Sequence, residues 1–178
     1  MTDIKNVDTV VDYITGREIP DVGSEGNRQQ VERMLVEDKG YAKDEIEVDA
    51  PIQVTVRGDV YRSKIDLLVQ VNGTPFLAIK CAAASLGSWE REILAAARLW
   101  GSVQVPLCMV SDGTAVVLLD TVSGGKIGQG WDAVPSRAPA GDDVKTLEPV
   151  PFPEDRLDRE RLIYRSYDSM NVNRHLSS

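Results

Sequence analysis

The chain has 178 residues, of which 42% are hydrophobic and 27% are charged, values typical of one soluble globular domain with a small appendage. Its formal net charge of −8 excludes a broad basic surface for nucleic acid but does not exclude a local acidic metal site. No apolar run approaches the roughly 20 residues of a membrane span, and the N-terminus lacks a secretory signal. Cys81 and Cys108 lie in apolar runs as buried reduced thiols, and the single histidine, His175, argues against histidine chemistry. We therefore expect a cytoplasmic protein without a membrane partner.

The first two elements are predicted to be helices. Residues 1–22 form an N-terminal helix and a loop in this prediction, and Gly16 ends the helical pattern. The apolar residues of this pattern recur at helical spacing: Val7, Val10, Val11 and Ile14. A second helix is predicted between Ser24, its N-cap, and Gly40, its C-terminal glycine. Glu25 lies in the first turn of this helix, where an acidic side chain is favoured by the helix dipole.

Three β-strands are predicted next. Residues 46–56 alternate apolar and polar side chains, and Pro51 within them predicts a bend or an edge position. Residues 64–71 and 74–81 are predicted to form a hairpin, since Asn72-Gly73 between them tolerates positive φ at both central turn positions.

Each strand of this hairpin has a charged residue within an apolar run. Asp66 lies in the first strand and Lys80 in the second, where it shares a face with Ala78. A buried carboxylate and a buried ammonium must pair with each other, a metal or a ligand, or else become neutral. A structural ion pair and a functional site are both open at this point.

Residues 89–100 are predicted to form a helix that begins after Ser88 as its N-cap and packs closely on the sheet. Glu90 and Glu92 flank its buried face. Each of them either reaches a site at the edge of the sheet or remains a solvated acid of the first turn.

The remaining core elements are two strands, residues 106–111 and 114–121, which give the order β-β-β-α-β-β in a mixed sheet. Residues 135–178 begin with a proline-punctuated segment and end with a charged helix over residues 154–167. The expected apolar contacts of that helix are Leu157, Leu162 and Ile163. The helix is expected to pack on its own domain, with docking on another subunit as the alternative.

Several short phrases occur in an order and spacing shared with a known family. They are Glu25-x-x-Arg28-Gln29, Gly40-Tyr41, Ser63-Lys64-Ile65-Asp66, Asn72-Gly73-x-Pro75-Phe76-Leu77-Ala78-Ile79-Lys80, and Pro106-Leu107-x-Met109-Val110-Ser111-Asp112-Gly113. They resemble the PD-(D/E)xK nuclease core and, more narrowly, the N-terminal nuclease-like domain of type I restriction enzyme R subunits. The resemblance implies an α/β, restriction-endonuclease-like core over residues 23–134, with a mixed β-sheet of about five strands flanked by helices. No Gly-x-x-x-x-Gly-Lys phosphate loop is present, so a stand-alone domain without a helicase motor is expected.

The resemblance also implies a chemistry, the hydrolysis of DNA phosphodiesters with magnesium, for which manganese can substitute. Asp66 would be the metal-binding aspartate and Lys80 the lysine that positions water and stabilises the developing charge. Glu25 would be the first-helix acid that completes the site.

The sequence departs from the family at one signature position. Ala78 stands where the second metal-binding acid belongs, and alanine cannot bind a cation. Either Glu92 or Glu90 supplies the missing carboxylate from the following helix, or the site is degenerate. Two functions follow from these alternatives: a metal-dependent endonuclease-like domain that acts on or binds DNA, and a catalytically inactive module of the same fold that binds a protein or nucleic-acid partner. Self-association into a homo-oligomer is open in both.

Overall fold

The computed structural model describes residues 8–83 and 85–176, and the side chains as far as residue 171. The chain begins with two short strands and then continues into the main sheet and its helices. The elements are β1 (Thr9–Val11), β2 (Glu18–Pro20), α1 (Glu25–Arg33), β3 (Ile46–Val56), β4 (Asp59–Val71), β5 (Thr74–Cys81), α2 (Gly87–Leu99), β6 (Leu107–Ser111), β7 (Val116–Asp120), β8 (Lys126–Gln129), α3 (Arg137–Thr146) and α4 (Glu154–Leu176). Among the described residues, no helix is both long enough and apolar enough to cross a membrane.

The main sheet has six strands in the order β3-β4-β5-β6-β7-β8. Its one parallel pair is β5 with β6, which α2 connects as a crossover, and the other neighbours are antiparallel. The mixed α/β core flanked by helices is therefore confirmed, with six strands instead of about five. The additional strand, β8, is short and mostly exposed, so it carries little of the apolar alternation by which strands are recognised.

Two hydrophobic clusters cover the two faces of the sheet. One lies under α2 and α4 and includes Ile93 and Tyr164, and the other lies under α1 and includes Val31 and Leu35. Burial of such side chains is the main favourable contribution to folding. Cys108 belongs to the first cluster and Cys81 to the second, and both thiols are free and buried, as predicted.

The central hairpin and the edge position of β3 are confirmed. Asn72 has φ of 52° and Gly73 has φ of 77°, the positive angles required by the two-residue turn between β4 and β5. β3, which contains Pro51, pairs with β4 alone and forms one edge of the sheet. An edge strand tolerates proline because one row of its backbone groups has no partner strand.

The predicted N-terminal helix is wrong where the chain is described. Residues 9–20 form the β1–β2 hairpin instead, whereas residues 1–7 lie outside the described residues. The side chain of Asp12 accepts a hydrogen bond from the backbone N–H of Thr15 at 2.6 Å, and Gly16 has φ of 70°. This turn, together with β-branched residues on both sides of it, favours strands over the helix that the apolar spacing indicated.

Two other helices also differ from the predictions. α2 begins at Gly87, so Leu86 and not Ser88 occupies the N-cap position, and α3 lies within the segment expected to be irregular. α4 packs on its own domain, mainly against α2 and β3. Its buried residues are largely polar: Glu160, Tyr164, Asp168 and Asn171. Leu162, expected to be an apolar contact, is 41% exposed, whereas Leu157 and Ile163 are half-buried.

Candidate functional site

Asp66 lies where the long β3–β4 hairpin changes the face that it buries. Ile65 packs in the cluster under α2 and α4, whereas Leu67 packs in the cluster under α1. The register likewise passes from Val48 opposite Leu67 to Ala50 opposite Ile65 and omits the pair between them. Asp49 on β3 has φ of 56° at this point, so the irregularity extends across both strands. The carboxylate of Asp66 is directed to β5, where its Oδ2 accepts the backbone N–H of Cys81 at 2.8 Å.

Lys80 on β5 lies between two carboxylates. Its Nζ is 3.8 Å from Oδ2 of Asp66 and 3.1 Å from Oε1 of Glu92 on α2. The ammonium also lies 5.1 Å from the centre of the Trp89 ring, within the range of a cation–π contact. Asp66 and Lys80 are thus on the same side of the sheet, as a shared site requires.

Burial and charge act in opposite directions on these groups. Burial acts to lower the pKa of Lys80, but the charges of Asp66 and Glu92 outweigh it and hold this pKa above its ordinary value. Burial raises the pKa of Glu92, and the nearby ammonium only partly offsets the rise. Lys80 therefore keeps its proton at neutral pH and acts as a fixed positive charge, unable to serve as a general base.

The C-terminal helix contributes two polar groups that the sequence did not indicate. Asn171 donates a side-chain hydrogen bond to Oε2 of Glu92, so both oxygens of that carboxylate are engaged. Asp168 accepts a hydrogen bond from the hydroxyl of Tyr61 and lines the same cleft as Asp66 and Lys80. The spacing of Asp168 and Asn171 puts both on the face of α4 that carries Tyr164, and this spacing could have indicated that they are buried.

A cleft of about 230 Å³ opens in front of Asp66 and Lys80. Glu25 also lines it, as does Arg28, whose Nη2 is 2.6 Å from Oε1 of Glu25. The structure therefore brings together Glu25, Asp66 and Lys80, the residues to which the family resemblance assigns the site. Glu92 contacts Lys80 from α2 but does not line the cleft.

Glu90 does not join this group. Its Oε1 is 2.9 Å from Nζ of Lys126 on β8, and it is absent from the cleft lining. The expectation that Glu90 reaches Asp66 is therefore not supported, since its carboxylate has a different partner.

Arg28 links the cleft to a buried charge cluster. Its guanidinium contacts Asp12 at 3.0 Å, Glu25 at 2.6 Å and Glu32 at 2.9 Å. Glu32 is fully buried, and burial raises its pKa to about 7 against the lowering effect of Arg28. Burial also acts to raise the pKa of Asp12, but hydrogen bonds from Thr15 hold it below its ordinary value. This cluster attaches the N-terminal hairpin to α1 beside the cleft.

Few oxygen atoms of the cleft are free to bind a divalent cation. Among the side chains that the structure describes, as far as residue 171, no three His, Cys, Asp or Glu are grouped to hold a metal. Ala78 is fully buried and has no donor, and both oxygens of Glu92 are occupied. Oδ1 of Asp66 accepts no hydrogen bond from any described group, and Asp66 lines the cleft. Mg²⁺ typically takes one or two carboxylates and completes its shell with water and substrate phosphate, so these residues fit a cation that binds together with its substrate.

Comparison with known proteins shows a family similarity. A family model described as "Type I restriction enzyme R protein N terminus (HSDR_N)" matches residues 23–135, which is more than half of the chain. The matched region includes Glu25, Asp66, Lys80 and Glu92, whereas α4 lies outside it. The searches of curated proteins and of solved structures returned no match.

Proposed function

Since the chain belongs to the family of type I restriction enzyme R protein N-terminal domains, we propose that it acts on DNA through the cleft around Asp66 and Lys80. The finer proposal is a PD-(D/E)xK nuclease-like domain that binds DNA phosphates with a divalent cation. The observation that carries the proposal is the position of Lys80 Nζ, 3.8 Å from Asp66 in a cleft that Glu25 also lines.

The charges of the site favour metal-dependent binding. Four acids line the cleft, Glu25, Asp49, Asp66 and Asp168, against three bases, Arg28, Lys64 and Lys80, so their ionised forms leave an excess of one negative charge. A DNA phosphate would be repelled from such a cleft unless a cation bound with it.

Each residue has a role consistent with its contacts. Asp66 would hold the cation through Oδ1, and Glu25 and Asp168 would add negative charge from the walls of the cleft. When bound, Mg²⁺ or Mn²⁺ would polarise the phosphodiester and lower the pKa of a water. Lys80 would stabilise the negative charge that develops on the phosphate, because it remains protonated at neutral pH.

The experiment is a calorimetric titration of Mg²⁺ and Mn²⁺ into the full chain, with and without duplex DNA. We expect saturable heat in the presence of DNA, loss of that heat in Asp66→Asn, and retention in Asp142→Asn, a matched change at an exposed aspartate. Nicking of a supercoiled plasmid, followed on the same samples, would report cleavage. Absence of cation binding in the wild-type protein with DNA present would contradict the proposal.

A second candidate function is a catalytically inactive module of the same fold that binds a protein or nucleic-acid partner. It is favoured by Ala78 at the signature position and by the saturation of Glu92 by Lys80 and Asn171. Under this candidate, the ammonium of Lys80 permanently neutralises the carboxylates that would otherwise bind a cation. DNA binding that is unchanged by chelators and by Asp66→Asn would support it. Sedimentation of the full chain would test self-association.

A further inference from the structure

A second cavity lies at the junction of α2, the beginning of α4 and residues 150–153. It has a volume of about 570 Å³ and shares no lining residue with the Asp66 cleft. Its most distinctive lining residues are arginines, two from α2 and two from α4: Arg91, Arg98, Arg156 and Arg159. In a chain with a net charge of −8, this is a local concentration of positive charge.

Glu160 holds two of these arginines in place. Arg91 contacts it with two hydrogen bonds of 2.8 and 2.9 Å, and Arg98 contacts it at 3.1 Å while donating Nε–H to the carbonyl of Thr121. Burial acts to raise the pKa of Glu160, but the hydrogen bonds from both arginines hold it below its ordinary value. The two guanidinium groups are therefore positioned in advance at the wall of the cavity.

The other two arginines have no such partner. Arg156 and Arg159 are exposed, and neither side chain forms an ion pair or hydrogen bond with any residue that the structure describes. Since Glu160 is the one acidic side chain in the lining, the cavity carries an excess positive charge. The positive charge and the forked N–H groups of these arginines are complementary to a phosphate group.

The remainder of the lining indicates that the ligand is larger than inorganic phosphate. Phe152 lies under the guanidinium of Arg98, 5.6 Å from ring centre to Cζ, and Val122 and Val150 add apolar surface. Gln104 also lines the cavity and is only 7% exposed. Its Nε2 donates to the carbonyl of Pro151 at 3.3 Å, whereas its buried Oε1 has no hydrogen-bond partner among the described residues. A buried acceptor without a partner is costly, but this oxygen is closed to water and therefore also to a ligand, so the ligand contacts are those of Phe152, Val122 and Val150.

We propose that this cavity binds an organic phosphate of mononucleotide size. The arginines hold the phosphate, and the apolar wall with Phe152 contacts the planar part. The proposal does not depend on DNA binding or metal binding at the Asp66 cleft.

The experiment is a calorimetric titration of the full chain with each common ribonucleoside 5′-monophosphate, with the matching nucleosides and with inorganic phosphate. We expect at least one monophosphate to bind with a Kd below about 1 mM, and about tenfold tighter than inorganic phosphate or its nucleoside. Arg156→Ala with Arg159→Ala should weaken that binding by about tenfold or more, since charge-assisted hydrogen bonds are lost. Phe152→Ala should weaken binding of the nucleotide but not of inorganic phosphate, since Phe152 contacts only the planar part.

Arg161→Ala is the matched control, because Arg161 lies on the same helix but does not line the cavity. It should bind the nucleotide as the wild-type protein does, and the thermal unfolding of each variant would show that it is folded. The proposal is overturned by any of three results: no saturable nucleotide binding, inorganic phosphate binding as tightly as the nucleotide, or nucleotide binding that survives loss of both exposed arginines. Loss of DNA binding in the double variant, without any nucleotide binding in the wild type, would assign the arginines to the DNA backbone instead.

Discussion

Substitution of Lys80 by methionine is expected to destabilise the fold strongly. Methionine retains most of the length of the side chain but removes the charge that lies 3.1 Å from Glu92 and 3.8 Å from Asp66. The side chain of Glu92 is only 4% exposed, so its carboxylate would remain buried without a counter-charge. Removing one partner of a buried ion pair costs about 3–5 kcal/mol, and the partial exposure of Asp66 places the expected loss near the lower end, at about 3 kcal/mol.

The free energy of unfolding, measured by urea denaturation with circular dichroism, would test this expectation. Lys64→Met is the matched control, because Lys64 lies on the neighbouring strand and also pairs with an aspartate, Asp49, at 2.8 Å. Those side chains are 58% and 46% exposed, so the control should lose less than about 1 kcal/mol. Adding Glu92→Gln to Lys80→Met should restore part of the stability by removing the unpaired charge. Equal losses in the two lysine variants would refute the view that Lys80 neutralises a buried acidic group.

Three further predictions concern stability. Because burial raises the pKa of Glu32 from 4.5 to about 7, folding favours its protonated form; this contribution to stability is complete below about pH 4.5 and is lost as the pH rises through 7. This contribution is about 3 kcal/mol, so Glu32→Gln should flatten the pH dependence of the free energy of unfolding measured in urea. Parallel pH curves for the wild-type protein and Glu32→Gln would contradict this assignment. Glu160→Gln leaves Arg91 and Arg98 without their shared counter-charge and should lower the free energy of unfolding, measured by calorimetry, by about 2–4 kcal/mol. An unchanged Tm would contradict this prediction. Gly73→Ala should cost about 1 kcal/mol in urea denaturation, since Gly73 has φ of 77°, and a neutral effect would show that the turn relaxes.

Part of the central site could be predicted from the sequence. The Asn72-Gly73 turn marks the β4–β5 hairpin, but the register continued from that turn would set Asp66 opposite Ile79. A one-residue shift between Val69 and Gln70, which the sequence does not indicate, brings Asp66 beside Lys80. Both residues also interrupt apolar runs, which marks them as buried charges in need of partners. The helix that carries Glu92 follows directly after β5, so the proximity of Glu92 to Lys80 could also be predicted from the sequence.

The contribution of α4 could not be predicted in the same way. Asp168 and Asn171 lie far along the chain from Lys80, and charged and polar residues on a helix usually face water. The apolar side chain of Leu162 indicated a core contact, but Leu162 is exposed. The buried face of α4 carries the polar residues Glu160, Asp168 and Asn171 instead. Which face of a helix is buried depends here on hydrogen bonds to groups on other elements, and these groups become neighbours only after the sheet has formed.

The region of family similarity ends at residue 135, yet the molecule does not divide cleanly there. Asn171 engages Glu92, Asp168 bonds to Tyr61, and Glu160 engages Arg91, in each case across that boundary. A fragment trimmed to the matched region would retain an acid, a phenol and a guanidinium whose counterparts had been cut away. The unit that packs together is in this sense larger than the region of family similarity, and experiments on the shorter piece would report on a different surface.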